Sequence, residues 1–463
     1  MQPQQRESIR ARLSASAACG HRFLSDDTAS VSLADLAGGT SLGCDPAELA
    51  GKSILLAAQH QLAAALALIE LDGIAGRVIL CPPDIRPEQI PFVIAKGGVD
   101  TIVTDREWGE DESLAGIPQI PCRRVLTPAK VRAVEPRTTE WVLLTSGTTG
   151  FPKLIVHTWS SLVAAIQGPS GRPVWGTFYD IRRYGGLQIL LRALLGDGSL
   201  VLSSAAEPVA DHLARLAGHG VTHVSGTPTH WRRALMSRKA EMIAPQYIRL
   251  SGEIVDQGIL NSLRAVYPNA GISHAFASTE AGVAFEVNDG LAGFPSHLLG
   301  VHGDVEMKIH DETLHIRSNR TALRYMDGEN GRLADEQGFV DTGDVVDQCG
   351  DRCFFLGRRN GVINVGGLKV YPEEVEAVIN RHPAVRGSMV RSRKNPIVGA
   401  LVAASIVLID SAEAAFRAGT ADIGRQVQEF CRGSLPAHKV PVTIDCIPTL
   451  HVAAAGKLVR QHA

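Results

Sequence analysis

Between Lys52 and Ser225 the sequence alternates short apolar runs with Ala/Leu-rich helical stretches, and that rhythm restricts the chain to few architectures. Residues 59–71 read as a helix and 77–81 (RVILC) as a buried strand closed by Pro82 and Pro83. Residues 86–96 read as a helix opening on Pro87 and Glu88, and 100–104 as another strand. The order returns at 141–144 and 160–167, at 187–195 and 199–202, and at 209–218 and 222–225. Strands that are apolar throughout have both faces covered, and an intervening helix supplies the crossover that a parallel pair needs. The expectation is an α/β protein whose parallel sheets lie under helices.

Past Gly290 the character changes. Residues 306–310, 313–317 and 353–356, separated by Asp-Glu, Asn-Gly and Asp-Gly turns, read as antiparallel hairpins. Beyond Gly357, a helix at 372–381, strands at 388–390 and 398–407 and a helix near 421–431 make a compact further unit. A chain of 463 residues is too long for one core. We therefore expect a large N-terminal domain over 1–358, carrying the parallel sheets and a small antiparallel β subdomain. A hinge at 359–360 and a small α+β C-terminal domain over 361–463 follow.

Charge narrows the functions. Lys+Arg number 46 against Asp+Glu 48, a net charge of -2, which leaves no basic footprint for nucleic acid and no polybasic membrane anchor. Residues 1–20 lack the apolar core of a secretory signal, and the apolar runs at 62–71 and 398–409 are too short or interrupted for a membrane span. A cytoplasmic protein with no membrane span is expected. Eight cysteines scattered along so long a chain suggest free thiols. Cys349 and Cys353 are spaced like a ligand pair, but no second Cys/His pair joins them to make a zinc site.

The run 141–144 leads straight into Thr145-Ser146-Gly147-Thr148-Thr149-Gly150-Phe151-Pro152-Lys153. Two glycines let the backbone turn its amides toward an anion, the hydroxyls add donors, and Lys153 adds a point charge. The Gly-Lys-Ser/Thr order of the common P-loop is absent. A hydroxyl-rich turn with no ligand has the same composition, so the motifs downstream decide. They are Leu250-Ser251-Gly252-Glu253, Phe276-Ala277-Ser278-Thr279-Glu280, Asp341-Thr342-Gly343-Asp344 and Gly357-Arg358-Arg359-Asn360-Gly361, then 365–374 and Ala455-Gly456-Lys457-Leu458-Val459-Arg460. In this order they resemble the adenylate-forming superfamily of acyl- and aryl-CoA ligases, peptide-synthetase adenylation domains and luciferases. Within it, the acyl-CoA and acyl-carrier-protein ligases match best.

The resemblance implies a division of labour. Thr145, Ser146, Gly147, Thr148, Thr149, Gly150 and Lys153 hold the β- and γ-phosphates of ATP. Gly252 and Glu253 run along the adenine and the acid. Phe276 stacks on adenine, with Ala277 beside it. Thr279 donates to the α-phosphate, and Glu280 holds Mg²⁺ through hard oxygen ligands. Asp344 accepts the ribose hydroxyls and Arg358 reaches ribose or phosphate. Asn360 is the pivot of a mobile C-terminal domain, and asparagine tolerates the unusual backbone angles a pivot needs. Lys457, with Thr279 and Glu280, is catalytic: its ammonium bridges the acid's oxygen and the α-phosphate. Departures from the pattern are Leu154 and Ala277 where glycine is usual, Asn360 where Asp or Lys is usual, and 451–454 in place of a Pro-x-Thr lead-in.

The implied reaction is ATP-dependent formation of an acyl-adenylate with release of pyrophosphate, then acyl transfer to a thiol with release of AMP. The cofactors are ATP, Mg²⁺ and coenzyme A, or the phosphopantetheine thiol of a separate acyl carrier protein. By position between motifs, the acid pocket includes Tyr184, Gly185, Thr227, Gly252, Ala275 and Ala277, and a small aromatic or short-to-medium aliphatic acid is expected. Arg182 or Arg183 is placed to pair with a second carboxylate. A non-catalytic acyl-adenylate-binding protein is the rival, against which the intact Thr279, Glu280, Asp344, Arg358 and Lys457 set speaks.

Overall fold

The apolar runs become the strands of two large sheets in the computed structural model, which describes residues 7–15, 20–106, 116–130, 132, 134–145, 150–168, 171–326, 332–395 and 399–450. In one eight-stranded sheet, Ser53–Leu56, Arg77–Leu80, Thr101–Thr104 and Glu140–Thr145 pair in parallel. In the other, Val174–Thr177, Ser199–Val201, His223–Gly226, Tyr247–Ser251 and Gly271–Ser278 do so. Both match the expected parallel sheets under helices.

Two helices lie inside. Every residue of Gln61–Leu71 is buried, and so is most of Tyr184–Leu195. Their leucines, with strand residues of both sheets, form the largest hydrophobic cluster of the molecule. A helix apolar all round can sit only between two layers. Each such leucine contributes roughly 2 kcal/mol by leaving water. The one charge on the first helix, Glu70, is met by the Ser41 amide and hydroxyl at 2.7 Å, by Thr40 and by Arg10, as a buried carboxylate requires.

Two sequence expectations shift. The helix expected over 86–96 divides into a 3-10 turn, Pro87–Gln89, and a helix, Ile90–Gly97, because Pro91 has no amide to carry the bonding through. The helix expected over 160–167 is only Trp159–Val163. Side chains of the neighbouring helix take carbonyls at its end and just beyond: Gln188 donates to Leu162 O at 2.8 Å and Arg192 to Ala165 O at 3.2 Å.

After Gly290 an antiparallel sheet of six strands forms, with Val305–His310 against Thr313–Ser318 and Val340–Cys349 against Arg352–Arg358. Residues 363–446 build a separate sheet around Gly399–Leu408, packed by the helices Pro372–Ile379 and Ile423–Arg432 over a hydrophobic cluster of its own. Residues 7–50, unassigned from the sequence, add Phe23–Ser25 and Gly39–Leu42 to the margins of the two large sheets. Among the described residues, no helix is long and apolar enough to cross a membrane.

Candidate active site

Ser146, Gly147, Thr148 and Thr149 fall outside the described residues, but their frame does not. Glu140–Thr145 and Lys153–His157 are antiparallel partners with Thr145 opposite Lys153. Gly150, ahead of the second strand, takes φ +86°, a conformation that favours glycine. The Gly150 carbonyl is held from outside by Arg86 at 2.8 Å and Gln89 at 2.6 Å. Neither residue was singled out from the sequence, because nothing in the helix 86–96 signals a contact 61 positions away. Lys153 lies over the Tyr325 ring, 5.2 Å from its centroid.

Phe276, Ala277 and Ser278 end the strand Gly271–Ser278, and Thr279 and Glu280 occupy the tight turn into Gly282–Val287. The register slips between Phe276 and Ala277, a bulge of the kind that re-aims side chains. Phe276 stacks on Phe355, centroids 4.9 Å apart, within a group that includes Phe285 and Phe294. Glu280 forms no ion pair among the described residues, so its carboxylate is available to a hard cation.

Beneath this turn lies a residue the sequence reading passed over. His157 is fully buried; its Nε2 sits 2.7 Å from the Thr279 carbonyl and its Nδ1 2.9 Å from Ser161 Oγ. A carbonyl only accepts, so Nε2 carries the proton. Burial holds the imidazole neutral, its pKa lowered to about 4. His157 thereby fixes the peptide that bears Thr279. Its only sequence signal was its place at the end of the strand after the phosphate loop.

Asp344 and Arg358 face one another across the strands Val340–Cys349 and Arg352–Arg358, with Arg358 Nε 3.1 Å from Asp344 Oδ1. Arg358 is 62% exposed and Asp344 15%, so the pair turns a guanidinium outward over a sheltered carboxylate. Both line a cleft of about 1060 Å³ with Gly252, Glu253, Phe276 and Ala277. Three stretches far apart in the chain thus meet at one opening. Ala275 lines it too, and the helix Pro372–Ile379 with the segment 386–388 forms the opposite wall.

Other expected residues have contacts within the protein. Glu253, expected along the nucleotide, accepts the Thr229 amide at 2.9 Å and the Thr229 hydroxyl at 3.0 Å, capping the helix Pro228–Leu235. Thr227 is the N-cap of that helix and is wholly buried. Tyr184, also buried, packs on His157 at 5.4 Å, and Gly185 lies against the Tyr179 ring. Asn360 sits in a 3-10 turn, Arg359–Gly361, and has no left-handed φ; the positive φ there belongs to Gly357 at +151°. Arg182 and Arg183 are committed elsewhere. Arg182 is buried and paired with Asp180 and the Ala58 carbonyl, and Arg183 meets Asp84 at 2.5 Å. Lys457 lies outside the described residues.

Against known proteins, the AMP-binding enzyme family model matches residues 59–333, and the model of its C-terminal domain matches residues 374–457. The chain is 28% identical over 352 residues to the 2-succinylbenzoate–CoA ligase of Salmonella typhimurium, covering 73% of each. It is 29% identical over 346 residues to the ligase of that name from Geobacillus kaustophilus, covering 69% of this chain and 68% of that one. Among solved structures it resembles an anthranilate CoA ligase bound to anthranoyl-AMP, with TM-score 0.76, 16% identity and coverage of 98% and 96%. A similar likeness, TM-score 0.76 at 18% identity over 98% of both chains, links it to the o-succinylbenzoate coenzyme A synthetase of Bacillus subtilis with ATP and magnesium.

Proposed function

Because the chain belongs to the AMP-binding enzyme family, we infer that it is an adenylate-forming acid–CoA ligase. It joins a carboxylate to the α-phosphorus of ATP, releases pyrophosphate, then passes the acyl group to the thiol of coenzyme A and releases AMP. The observation that carries this reading is the cleft itself, where Gly252, Phe276, Ala277, Asp344 and Arg358 meet.

The chemistry asks little covalent work of the protein. Carboxylate and ATP repel, so the enzyme must place them in line and neutralise charge. We assign Thr279 to the α-phosphate, the segment 145–153 to the β- and γ-phosphates, Asp344 to the ribose, and Lys457 to the oxygen that bridges acid and phosphorus. Mg²⁺ would be held by Glu280 and would offset charge on the departing pyrophosphate. Each preorganised contact of this kind is worth roughly 3–4 kcal/mol, or about 10²–10³ in rate. Residues 361–463 act as the mobile domain about the hinge at 359–360. The cytosol, where ATP and coenzyme A are at hand, is the compartment this reading implies.

Pyrophosphate release measured over a panel of carboxylic acids, with and without coenzyme A or holo acyl carrier protein, tests the reading. Release dependent on one acid class, with thioester formed on coenzyme A, is expected. Thioester on the carrier alone would transfer the second step to a protein partner, and no release with any acid would favour a binding protein.

A further inference from the structure

One hairpin tip combines backbone strain with a charge that reaches the C-terminal part of the chain. Val305–His310 and Thr313–Ser318 are joined by Asp311 and Glu312 alone, at φ +48° and +65°. Two-residue loops of this left-handed kind ordinarily take Asn-Gly or Asp-Gly, because a Cβ resists those angles. Glu312 is therefore a strained occupant, and glycine would suit the turn better. Among the described residues, only Asp197 otherwise shares such a φ without being glycine. A strained residue persists where its surroundings hold it. Here the Val346 amide donates to the Glu312 carbonyl at 2.9 Å.

The side chain gives the strain a purpose. Glu312 Oε2 lies 2.8 Å from Lys369 Nζ, and Lys369 belongs to the strand Leu368–Val370 of the small domain. Beside it, Thr313 Oγ1 accepts from Arg359 Nη2 at 2.7 Å, and Asp341 Oδ2 pairs with Arg359 Nη1 at 3.1 Å. The tip thus grips both sides of the hinge expected at 359–360, with Arg359 at its near end and Lys369 beyond it. Rotation there leaves Arg359 with the hairpin but carries Lys369 away, so the ion pair cannot outlast the rotation. Lys369 is 63% exposed and Glu312 65%, and an exposed pair is weak and screened by salt. Such a contact biases an orientation without trapping it.

We propose that Glu312 is a positioning residue of the ligation: paired with Lys369, it holds the small domain in the orientation described and sets how the enzyme divides its time between adenylation and thioester formation. The inference rests on the two-step reading and the hinge above. The left-handed turn puts the carboxylate at the outermost point of the hairpin, where a partner on another domain can meet it. Each step proceeds in proportion to the population of its own orientation. A weaker pair therefore favours one step at the expense of the other.

The test reverses charges in the full chain: Glu312→Lys, Lys369→Glu and the two together. With whichever acid releases pyrophosphate fastest, single-turnover rates are taken for that release and for thioester formation from supplied acyl-AMP and coenzyme A. Each single variant should change the ratio of the two rates by roughly three- to tenfold, and the double variant should bring it back to within about twofold of wild type. The wild-type ratio should drift in the same direction between about 0.05 and 0.5 M salt, while that of Glu312→Gln stays level. Glu312→Gly separates the pair from the fold. It should shift the ratio too, with a denaturation midpoint close to wild type, since glycine takes φ near +65° freely. Unchanged ratios in the single variants, both steps slowed alike, or a double variant that keeps the shift overturn the proposal. Pyrophosphate release with no thioester sinks it and leaves adenylation standing; no release with any acid sinks both.

Discussion

His157 shows how one side chain can tie stability to the site. Its folded pKa, about 4, lies below the ordinary value near 6.5. Between those values the unfolded chain binds more protons, so stability is full above about pH 6.5 and falls as pH drops toward 4. Over pH 7 to 5 this single group costs roughly 2 kcal/mol. His230, also lowered, to about 3, acts in the same sense. His157→Leu leaves the Thr279 carbonyl without its donor, which should cost about 1–3 kcal/mol at pH 7. It should also flatten the loss on acidification, because the titrating group is gone. Denaturant melts at pH 7 and 5 check this; parallel pH profiles for variant and wild type would refute it. Adenylation should slow as well, since the Thr279 peptide loses its anchor.

At the scale of elements, Gly150, at the end of the segment proposed to hold phosphate, depends on a neighbour. Arg86 and Gln89 grip the Gly150 carbonyl from the turn that opens the helix Ile90–Gly97. Removing both by Arg86→Ala with Gln89→Ala frees the end of the loop. We expect the KM for ATP to rise roughly tenfold, as a loss of about 1.4 kcal/mol of binding, with stability little changed because Arg86 is 57% exposed. An unchanged KM would show that ATP binding does not depend on this grip. Such clamps explain what could be read in advance. The strands were legible because buried parallel strands are apolar throughout, and the motifs because phosphate turns need glycines and hydroxyls in order. Arg86 and His157 were not, since each acts on a residue that only the fold brings near. Pro91, which splits its helix, was in plain view, but the periodic pattern around it dominated the reading. Arg182 and Arg183 misled for the opposite reason. Their place in the pocket segment suggested a ligand, whereas Asp180 and Asp84 already satisfy them.

Across the whole molecule, the two parts of the chain meet over a small polar joint. Asp256, the N-cap of the helix Gln257–Val266, pairs with Arg232 and accepts from Asn380 at 3.3 Å, and Ser388 donates to Asn380 at 2.9 Å. Of these bonds the one from Asn380 to Asp256 crosses between the parts, and with the Lys369–Glu312 ion pair at 2.8 Å it makes a joint weak enough to part if the proposed domains change orientation. If Lys457 serves only the first orientation, Lys457→Ala should lower adenylation at least 10²-fold, yet spare thioester formation from supplied acyl-AMP; equal loss in both steps would refute its assignment. The hinge predicts the converse. Asn360 lies in the turn Arg359–Gly361 without a left-handed φ and, among the described residues, with no side-chain hydrogen bond to lose. Asn360→Pro therefore breaks no contact of the arrangement described, but fixes φ near −65° and biases Arg359 away from helical angles. Rotation needs just those torsions to change. Single-turnover measurement should then find pyrophosphate release within several-fold of wild type and thioester formation slowed by about 10² or more. A thioesterification rate equal to wild type would place the pivot elsewhere, with Gly357, the left-handed residue beside Glu373, as the next position to substitute.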